Sequence, residues 1–255
     1  MALEDSVLGH KNLPRQPLDH YQNRISNIPL SRVKNKTNKM NQRAKLDECV
    51  ENFSSKAPES IKAMAESFKQ TTEANFDPKG AVQPGAKLPD FTMTNVFGNE
   101  VTSASLLSKG PLLITFYRGS WCSLCNIALP FLQKHLSDFE ARGAQIVAIT
   151  PELPEGALAT VEKHNLKFHV LSDVGNKLAR QLGIIHPHGS IREAMQMLGS
   201  DLQKSNGDDS WDLPFPATLL VDRSGIVRNV YLDLDITNRL DPEEALRWVD
   251  NMNKE

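Results

Sequence analysis

Leu112-Leu113-Ile114-Thr115-Phe116-Tyr117, followed by Arg118-Gly119-Ser120 and then Trp121-Cys122-Ser123-Leu124-Cys125-Asn126, is the stretch that decides how this chain is read. Its first part is a short apolar run of strand length, rich in bulky and β-branched residues. The residues after Cys122 keep helical spacing. A strand therefore delivers the first thiol to a helix N-terminus. There the unpaired backbone N–H groups and the helix dipole favour an anion. For a cysteine that anion is the thiolate, its nucleophilic form. Cys125 lies one helical turn on, within reach of Cys122 for a disulfide after modest rotation. A strand–Cys-x-x-Cys–helix unit in an α/β chain reads as thiol–disulfide chemistry.

Working outward, the Pro/Gly-rich segment Gln83 to Asp90 is an entry loop. Strands are expected at Phe91–Thr94 and Val101–Thr102, with a turn between them. Elements then alternate: strand Leu112–Tyr117, helix Leu124–Ala141 kinked at Pro130, strand Ala144–Ile149, helix Glu155–His164, strand Phe168–Leu171 and helix Asn176–Leu182. Pro130 lacks the N–H of a helical ladder bond, hence the expected kink. This βαβα order implies a partly parallel sheet covered on both faces. A helical pattern over Ile191–Leu202 follows, then a hairpin of Ala217–Val221 and Ile226–Tyr231 turning at Asp222-Arg223-Ser224-Gly225. A last helix runs from Pro242 to Met252, with Asp241 as N-cap and proline at its first position. Parallel units, then a hairpin, then a helix, is the thioredoxin order of elements.

Upstream, residues 1–40 read as a flexible polar extension with a locally basic run, Arg32 to Lys39. Residues 41–82 read as a helical extension. Leu46, Cys49, Val50 and Phe53 form one amphipathic stripe and Ile61, Met64, Ala65 and Phe68 a second, separated by Pro58. Helices this short need a surface to pack on, either the main domain (residues 83–255) or a second subunit. Cys49 is expected to be a core residue within its stripe.

Composition bounds the partners. With 29 Lys+Arg against 31 Asp+Glu the formal net charge is −2, which gives no argument for nucleic acid. No apolar run approaches the ~20 residues of a membrane span. Three cysteines do not make a disulfide scaffold, and a reducing, cytoplasmic setting is expected. The Cys-x-x-Cys pair lacks two further ligands at zinc spacing, since the nearest histidine pair, His186 and His188, flanks a proline. No cofactor and no metal are expected.

Cys122 is the expected attacking thiol, partly exposed, and Cys125 the resolving one. Arg118 reads as a thiolate stabiliser or a surface ion pair, and Trp121 as a shield for the sulfur or simple packing. Within Leu213-Pro214-Phe215-Pro216-Ala217-Thr218, a cis Phe215–Pro216 bond is expected to turn the chain and expose the Phe215 backbone beside Cys122. Asp235 and Arg239, four apart, read as an ion pair or a rim contact to the site, and the ion pair is expected.

Phe116-Tyr117-Arg118-Gly119-Ser120-Trp121-Cys122-x-x-Cys125-Asn126, Leu213-Pro-x-Pro-Ala-Thr218, Asp222-x-x-Gly225 and the tail Asp235-x-Thr237-x-Arg239-x-x-Pro242-Glu243-Glu244 together resemble peroxiredoxin-like proteins of the alkyl hydroperoxide reductase/thiol-specific antioxidant family. The resemblance implies a thioredoxin-like fold: a central mixed sheet flanked by helices. It implies reduction of hydroperoxides, with thioredoxin or a similar dithiol as donor, a Cys122 sulfenic acid resolved by Cys125, and a possible homodimer. Trp121, Phe215, Pro216 and Thr218 are the residues expected at the substrate. Two positions depart from the pattern. Peroxiredoxins place Pro and Thr or Ser seven and three residues before the attacking cysteine, where this chain has Thr115 and Gly119. Ser123-Leu124 replaces the usual Pro-Tyr or Pro-Phe between the cysteines. A protein disulfide oxidoreductase and a redox-responsive interaction module are the alternatives to a peroxidase.

Overall fold

The computed structural model describes residues 41–186 and 192–254. The N-terminal extension, His188 and the start of the Ile191 helical pattern lie outside them. Seven strands form one sheet: β1 (Thr92–Asn95), β2 (Glu100–Thr102), β3 (Leu112–Phe116), β4 (Gln145–Thr150), β5 (His169–Ser172), β8 (Thr218–Val221) and β9 (Val227–Tyr231), in the order β2-β1-β5-β4-β3-β8-β9. A separate two-stranded ribbon pairs β6 (Ile185–His186) with β7 (Leu213–Pro214).

β3 lies between β4, which is parallel to it, and β8, which is antiparallel. All five of its residues are buried, because helices cover both faces. Its alternate side chains feed two cores. Leu112, Ile114 and Phe116 enter one; Leu113, with Tyr117 beyond the strand, enters the other, which also holds both cysteines. β8 and β9 form the hairpin, and Asp222 closes its turn by accepting from the Ser224 and Ile226 amides. The mixed sheet flanked by helices is thioredoxin-like.

The helices are α1 (Gln42–Lys56), α2 (Glu59–Asn75), α3 (Ser103–Leu107), α4 (Ser123–Lys134), α5 (Leu136–Glu140), α6 (Pro154–His164), α7 (Lys177–Gln181), α8 (Arg192–Met197), α9 (Leu202–Asn206) and α10 (Pro242–Met252). The single helix expected from Leu124 to Ala141 is two. Its break falls at His135 (φ −99°, ψ 6°), while Pro130 sits inside α4. At His135 the N–H tightens to the Leu132 carbonyl, three residues back, which ends the α-helical ladder. The Ile191–Leu202 pattern likewise divides, because Gly199 takes a left-handed φ of +76° between α8 and α9. The short β6–β7 ribbon carries no sequence signal. It tolerates Pro214 because a two-stranded ribbon has an open edge. α10 starts as its sequence dictates, with Asp241 accepting from the Glu243 amide at 2.8 Å.

Among the described residues no peptide bond is cis, so the expected cis Phe215–Pro216 bond is absent. The chain turns there by another device. The Ala217 N–H donates to the Phe215 carbonyl at 2.7 Å, an i+2→i bond across Pro216 of inverse-γ-turn type. The Phe215 N–H donates to the Ile184 carbonyl at 2.8 Å. Both backbone groups expected to be open to substrate are thus paired within the protein.

α1 packs on α4, the helix that begins at Cys122. Its stripe is only half used. Leu46 is buried, while Phe53 is 41% exposed. Cys49, expected in the core, is half-buried at the edge of this contact. On α2, Ile61, Phe68 and Thr72 face inward.

Candidate active site

β3 and β4 are adjacent and parallel, and the residues that follow their carboxyl ends meet. From β3 come Arg118, Gly119, Ser120, Trp121 and Cys122; from β4 comes Glu152. The Tyr117 N–H donates to the Ile149 carbonyl at 2.9 Å, extending the ladder by one residue. Gly119 then turns the chain at φ +146°. The Cys122 N–H donates back to the Gly119 carbonyl at 3.1 Å, and α4 begins.

This turn is pinned from two sides. The Ser120 N–H and hydroxyl both donate to the Glu152 carboxylate, at 2.8 and 2.7 Å. The Asn126 amide nitrogen donates to the Ser120 carbonyl at 2.7 Å and the Cys122 carbonyl at 3.0 Å. With its nitrogen used twice, Asn126 offers its oxygen to His164 Nε2 at 2.7 Å, so that ring nitrogen carries the proton. Glu152 is 1% exposed, and burial pushes the pKa of its carboxyl up against the two Ser120 bonds that pull it down.

Cys122 is the N-cap of α4. Its sulfur accepts from the Cys125 N–H at 3.4 Å, from Arg118 Nη2 at 3.3 Å and from the Cys125 thiol at 2.8 Å. Arg239 Nη2 reaches the Cys125 sulfur at 3.6 Å. Burial opposes ionisation of Cys122. The Cys125 thiol, the charges of Arg118 and Arg239 and the Cys125 amide outweigh it and hold Cys122 well below the ordinary thiol range. Burial drives Cys125 the other way, and so do its hydrogen bond to Cys122 and the negative charge there. The surroundings therefore favour the anion on Cys122 and the neutral thiol on Cys125. That is the asymmetry an attacking and a resolving thiol require.

The expected partial exposure of Cys122 is not found: it is 2% exposed, and Cys125 is 1% exposed. The half-buried side chains of Trp121, Leu124 and Leu240 pack on the core that contains both sulfurs. The loop from Tyr231 to Leu240 is half-buried throughout.

The AhpC/TSA family model matches residues 84–230, a span that includes both cysteines. The chain belongs to the AhpC/TSA family. Among curated relatives of this AhpC/TSA protein, thiol-disulfide oxidoreductase ResA of Bacillus cereus is 29% identical over 104 residues, 40% of this chain and 59% of that protein. The match thus leaves out about two fifths of the ResA chain. Peroxiredoxin Q, chloroplastic, of Triticum aestivum is 24% identical over 201 residues, 77% of this chain and 80% of that protein. Among solved structures, peroxidoxin BcpB from Mycobacterium tuberculosis superposes with a TM-score of 0.53 at 18% identity, covering 67% of this chain and 98% of that one. Enterococcus faecalis AhpC gives a TM-score of 0.53 at 17% identity, covering 67% and 92%.

Of the residues singled out in the sequence, Cys122, Cys125, Arg118 and Trp121 come together. The Arg118 guanidinium carbon lies 5.2 Å from the Trp121 ring centroid. Thr218 pairs hydroxyl to hydroxyl with Thr115 at 3.2 Å. Strand alternation puts both on the sheet face that Leu113, Leu220 and the cysteines share. Pro216 is buried at the adjoining turn. Phe215 is not at the sulfur, because its ring packs against Phe76 and His186 (centroids 5.1 and 4.5 Å). The expected Asp235–Arg239 ion pair does not form. Asp235 accepts from Thr237 and pairs with Lys69, while Arg239 turns inward to Cys125.

Sequence reasoning missed Glu152 and ranked a rim contact of Arg239 to the site below its ion pair with Asp235. A signal for Glu152 existed, since ligands and reacting groups in parallel α/β sheets gather beyond the carboxyl ends of the strands. For Arg239 nothing local separates a rim contact from an ion pair with Asp235. Glu152 also explains why this AhpC/TSA protein has glycine three residues before its cysteine. A Cβ on Gly119 would stand 2.5 Å from Trp121 Nε1 and 2.9 Å from the Glu152 carboxyl. Nor does Ser120 supply the hydroxyl, because Glu152 holds it. Gly119→Ala is accordingly expected to destabilise the fold by about 1–3 kcal/mol and to slow alkylation of Cys122. Thermal unfolding and mass-resolved alkylation check this, and a variant as stable and reactive as the parent would refute the steric argument.

Proposed function

We propose that this protein is a thiol oxidoreductase that reduces hydroperoxides. The observation that carries the reading is the sulfur pair, 2.8 Å apart, with Arg118 Nη2 3.3 Å from the Cys122 sulfur. The Cys122 thiolate attacks the terminal oxygen of the peroxide O–O bond. An S–O bond forms and the O–O bond breaks. The leaving alkoxide, or hydroxide from hydrogen peroxide, takes up a proton, and Cys122 becomes a sulfenic acid. Arg118 stabilises charge on the sulfur and on the departing oxygen. Arg118 Nε and Trp121 Nε1 are buried donors with no hydrogen-bond partner among the described residues. They take the place of the hydroxyl that Gly119 cannot supply.

The Cys125 sulfur then attacks the sulfenic sulfur. An S–S bond forms, the S–O bond breaks and water leaves. An external dithiol of the thioredoxin kind reduces the disulfide and restores both thiols. Support comes from the peroxiredoxin Q relative, which aligns with 77% of this chain. A homodimer and a reducing cytoplasmic setting belong to the same reading.

A second reading is favoured by a specific observation. The Cys-x-x-Cys pair at a helix N-terminus, without a Thr or Ser at position 119, also suits protein disulfide exchange. The match to thiol-disulfide oxidoreductase ResA spans 59% of that protein's length. The two readings separate in one experiment: purified protein with a thioredoxin system, assayed for hydroperoxide loss and for insulin disulfide reduction. Peroxide loss supports the first, and insulin reduction with peroxide untouched overturns it in favour of the second.

Cys125→Ser is expected to consume one equivalent of peroxide and then stall. Cys122 is left as a sulfenic acid, trapped by a dimedone mass adduct. Continued turnover at the parent rate would show that another thiol resolves the intermediate.

A further inference from the structure

The loop from Tyr231 to Leu240 brings Arg239 to the sulfurs, and the helical pair α1–α2 holds that loop down along its outer side. Gln42 is 4% exposed, and its side-chain amide donates to the Leu240 carbonyl at 2.9 Å. Arg43, the next residue, donates to the Asn238 side-chain oxygen. Lys69 on α2 pairs with Asp235 at 3.5 Å. Three side chains of the extension thus grip three positions of one loop, on both sides of Arg239 in sequence.

Within the loop, Asp233 accepts from the Asn238 amide at 2.8 Å, and Arg239 Nη1 caps the Ile236 and Asn238 carbonyls. The guanidinium is therefore rigidly tied to the loop backbone, and its remaining Nη2 points to Cys125. Moving the Leu240 carbonyl moves Arg239. The Leu240 side chain also packs on the core that contains both cysteines.

We propose that Gln42 is a positioning residue of the redox site: by holding the Leu240 carbonyl it aims Arg239 at the cysteine pair, which makes the helical extension a working part of the centre. The inference deepens the proposed thiol chemistry and rests on it for its biological meaning, but its physical content is the state of the sulfurs. The groups that set that state are Arg118 and Arg239 as cations, Cys125 as proton donor, Glu152 and Tyr117 beside the turn, and Cys49 on α1. Among them Arg239 alone is delivered by a segment that the extension grips. The donor is 4% exposed and the bond part-buried, so an amide nitrogen that lost the Leu240 carbonyl would have few other partners.

The test is the pH profile of Cys122 alkylation in the full chain, with iodoacetamide as probe and mass spectrometry to separate Cys122 from Cys49 and Cys125. No peroxide is present, so the result stands whether or not the protein proves to be a peroxidase. Gln42→Met keeps the packing volume and removes the donor. It is expected to move the midpoint of the profile about half a pH unit higher, because Arg239 acts on Cys122 through its charge while its hydrogen bond goes to Cys125. Arg239→Met is expected to move the profile further in the same direction. In the Arg239→Met background, Gln42→Met is expected to add nothing, because its effect passes through the guanidinium. A Gln42→Met protein that melts earlier but keeps the parent profile overturns the proposal, and so do additive effects in the double variant. Should Gln42→Met not fold, Gln42→Ala, which removes the same donor to Leu240, takes its place, and an unchanged profile there overturns the proposal equally.

Discussion

Cys122→Ser is expected to reduce hydroperoxide consumption to the buffer rate, a loss on the order of 10⁴-fold or more, the scale of deleting a nucleophile. The reason is chemical rather than steric. Serine fits the N-cap as well as cysteine does, since both accept from the amide three residues on, so the fold and the α4 start should survive. What is lost is an atom that ionises in this environment. A hydroxyl at this position stays neutral despite Arg118 and the helix N-terminus, and it cannot pass through a sulfenic state. The measurement is peroxide loss with a thioredoxin system, alongside circular dichroism to show an intact fold. Peroxide loss above roughly a tenth of the parent rate would refute the assignment of Cys122 as the attacking atom. Cys49 would then be the first suspect, because it is half-buried and lies near enough to feel the charge of Cys122, which with burial holds its thiol up.

Arg118→Met is expected to move the midpoint of the Cys122 alkylation profile up by about 1–2 pH units, equivalent to a hydrogen bond to a charged group worth about 1.5–3 kcal/mol. The sign follows from the direction of the shift. A thiol whose pKa is held down is ionised at all pH values above that lowered pKa and loses its thiolate as pH falls through it. The parent rate should therefore stay on its plateau well below the ordinary thiol pKa of ~8.5. Removing the guanidinium leaves burial, the largest influence on Cys122 and an opposing one, with less to counter it, so the fall-off moves to higher pH. Methionine fills the space without the charge. Arg118→Lys keeps the charge but loses the planar fork, and it should recover part of the rate. A profile unmoved by Arg118→Met would show that the Cys125 thiol and Arg239 suffice to hold the anion. The 3.3 Å contact would then be packing.

The two variants bear on different parts of the site, and they differ in how far the sequence foretells them. The Cys122 result is legible from the sequence because it depends on local order alone: strand, thiol, helix. The same holds for the Asp241–Pro242 helix start and for the Asp222 to Gly225 turn, where each signal and its effect lie within a few residues. Arg118 is half legible. Its place at a strand end marks it as near the sulfur, but an exposed ion pair is as good a reading of the sequence, and only the structure places it buried against Cys122.

What could not be read are the contacts between residues far apart in the chain. Glu152 meets Ser120 across 32 residues, Arg239 meets Cys125 across 114, and Gln42 meets Leu240 across 198. Asp235 and Arg239, four apart, suggest a local ion pair, and locally nothing argues against it. Packing α1 and α2 against the loop gives Asp235 a different cation and leaves Arg239 free to turn inward. The Phe215–Pro216 turn makes the same point from the backbone. The need for a bend was readable, whereas an i+2→i bond across a trans proline depends on Ile184 taking the Phe215 N–H.

By itself the sequence determined the α/β order, the strand–thiol–helix unit and the asymmetry of one capping cysteine and one a turn later, because periodicity, capping and turn chemistry act over a few residues. Only the tertiary structure decided that the thiolate is buried, that two arginines rather than one address the sulfur pair, that Glu152 occupies the space where a hydroxyl side chain would stand, and that the N-terminal helices reach the redox centre. Burial and long-range charge contacts are products of packing, and packing is settled by all the elements at once.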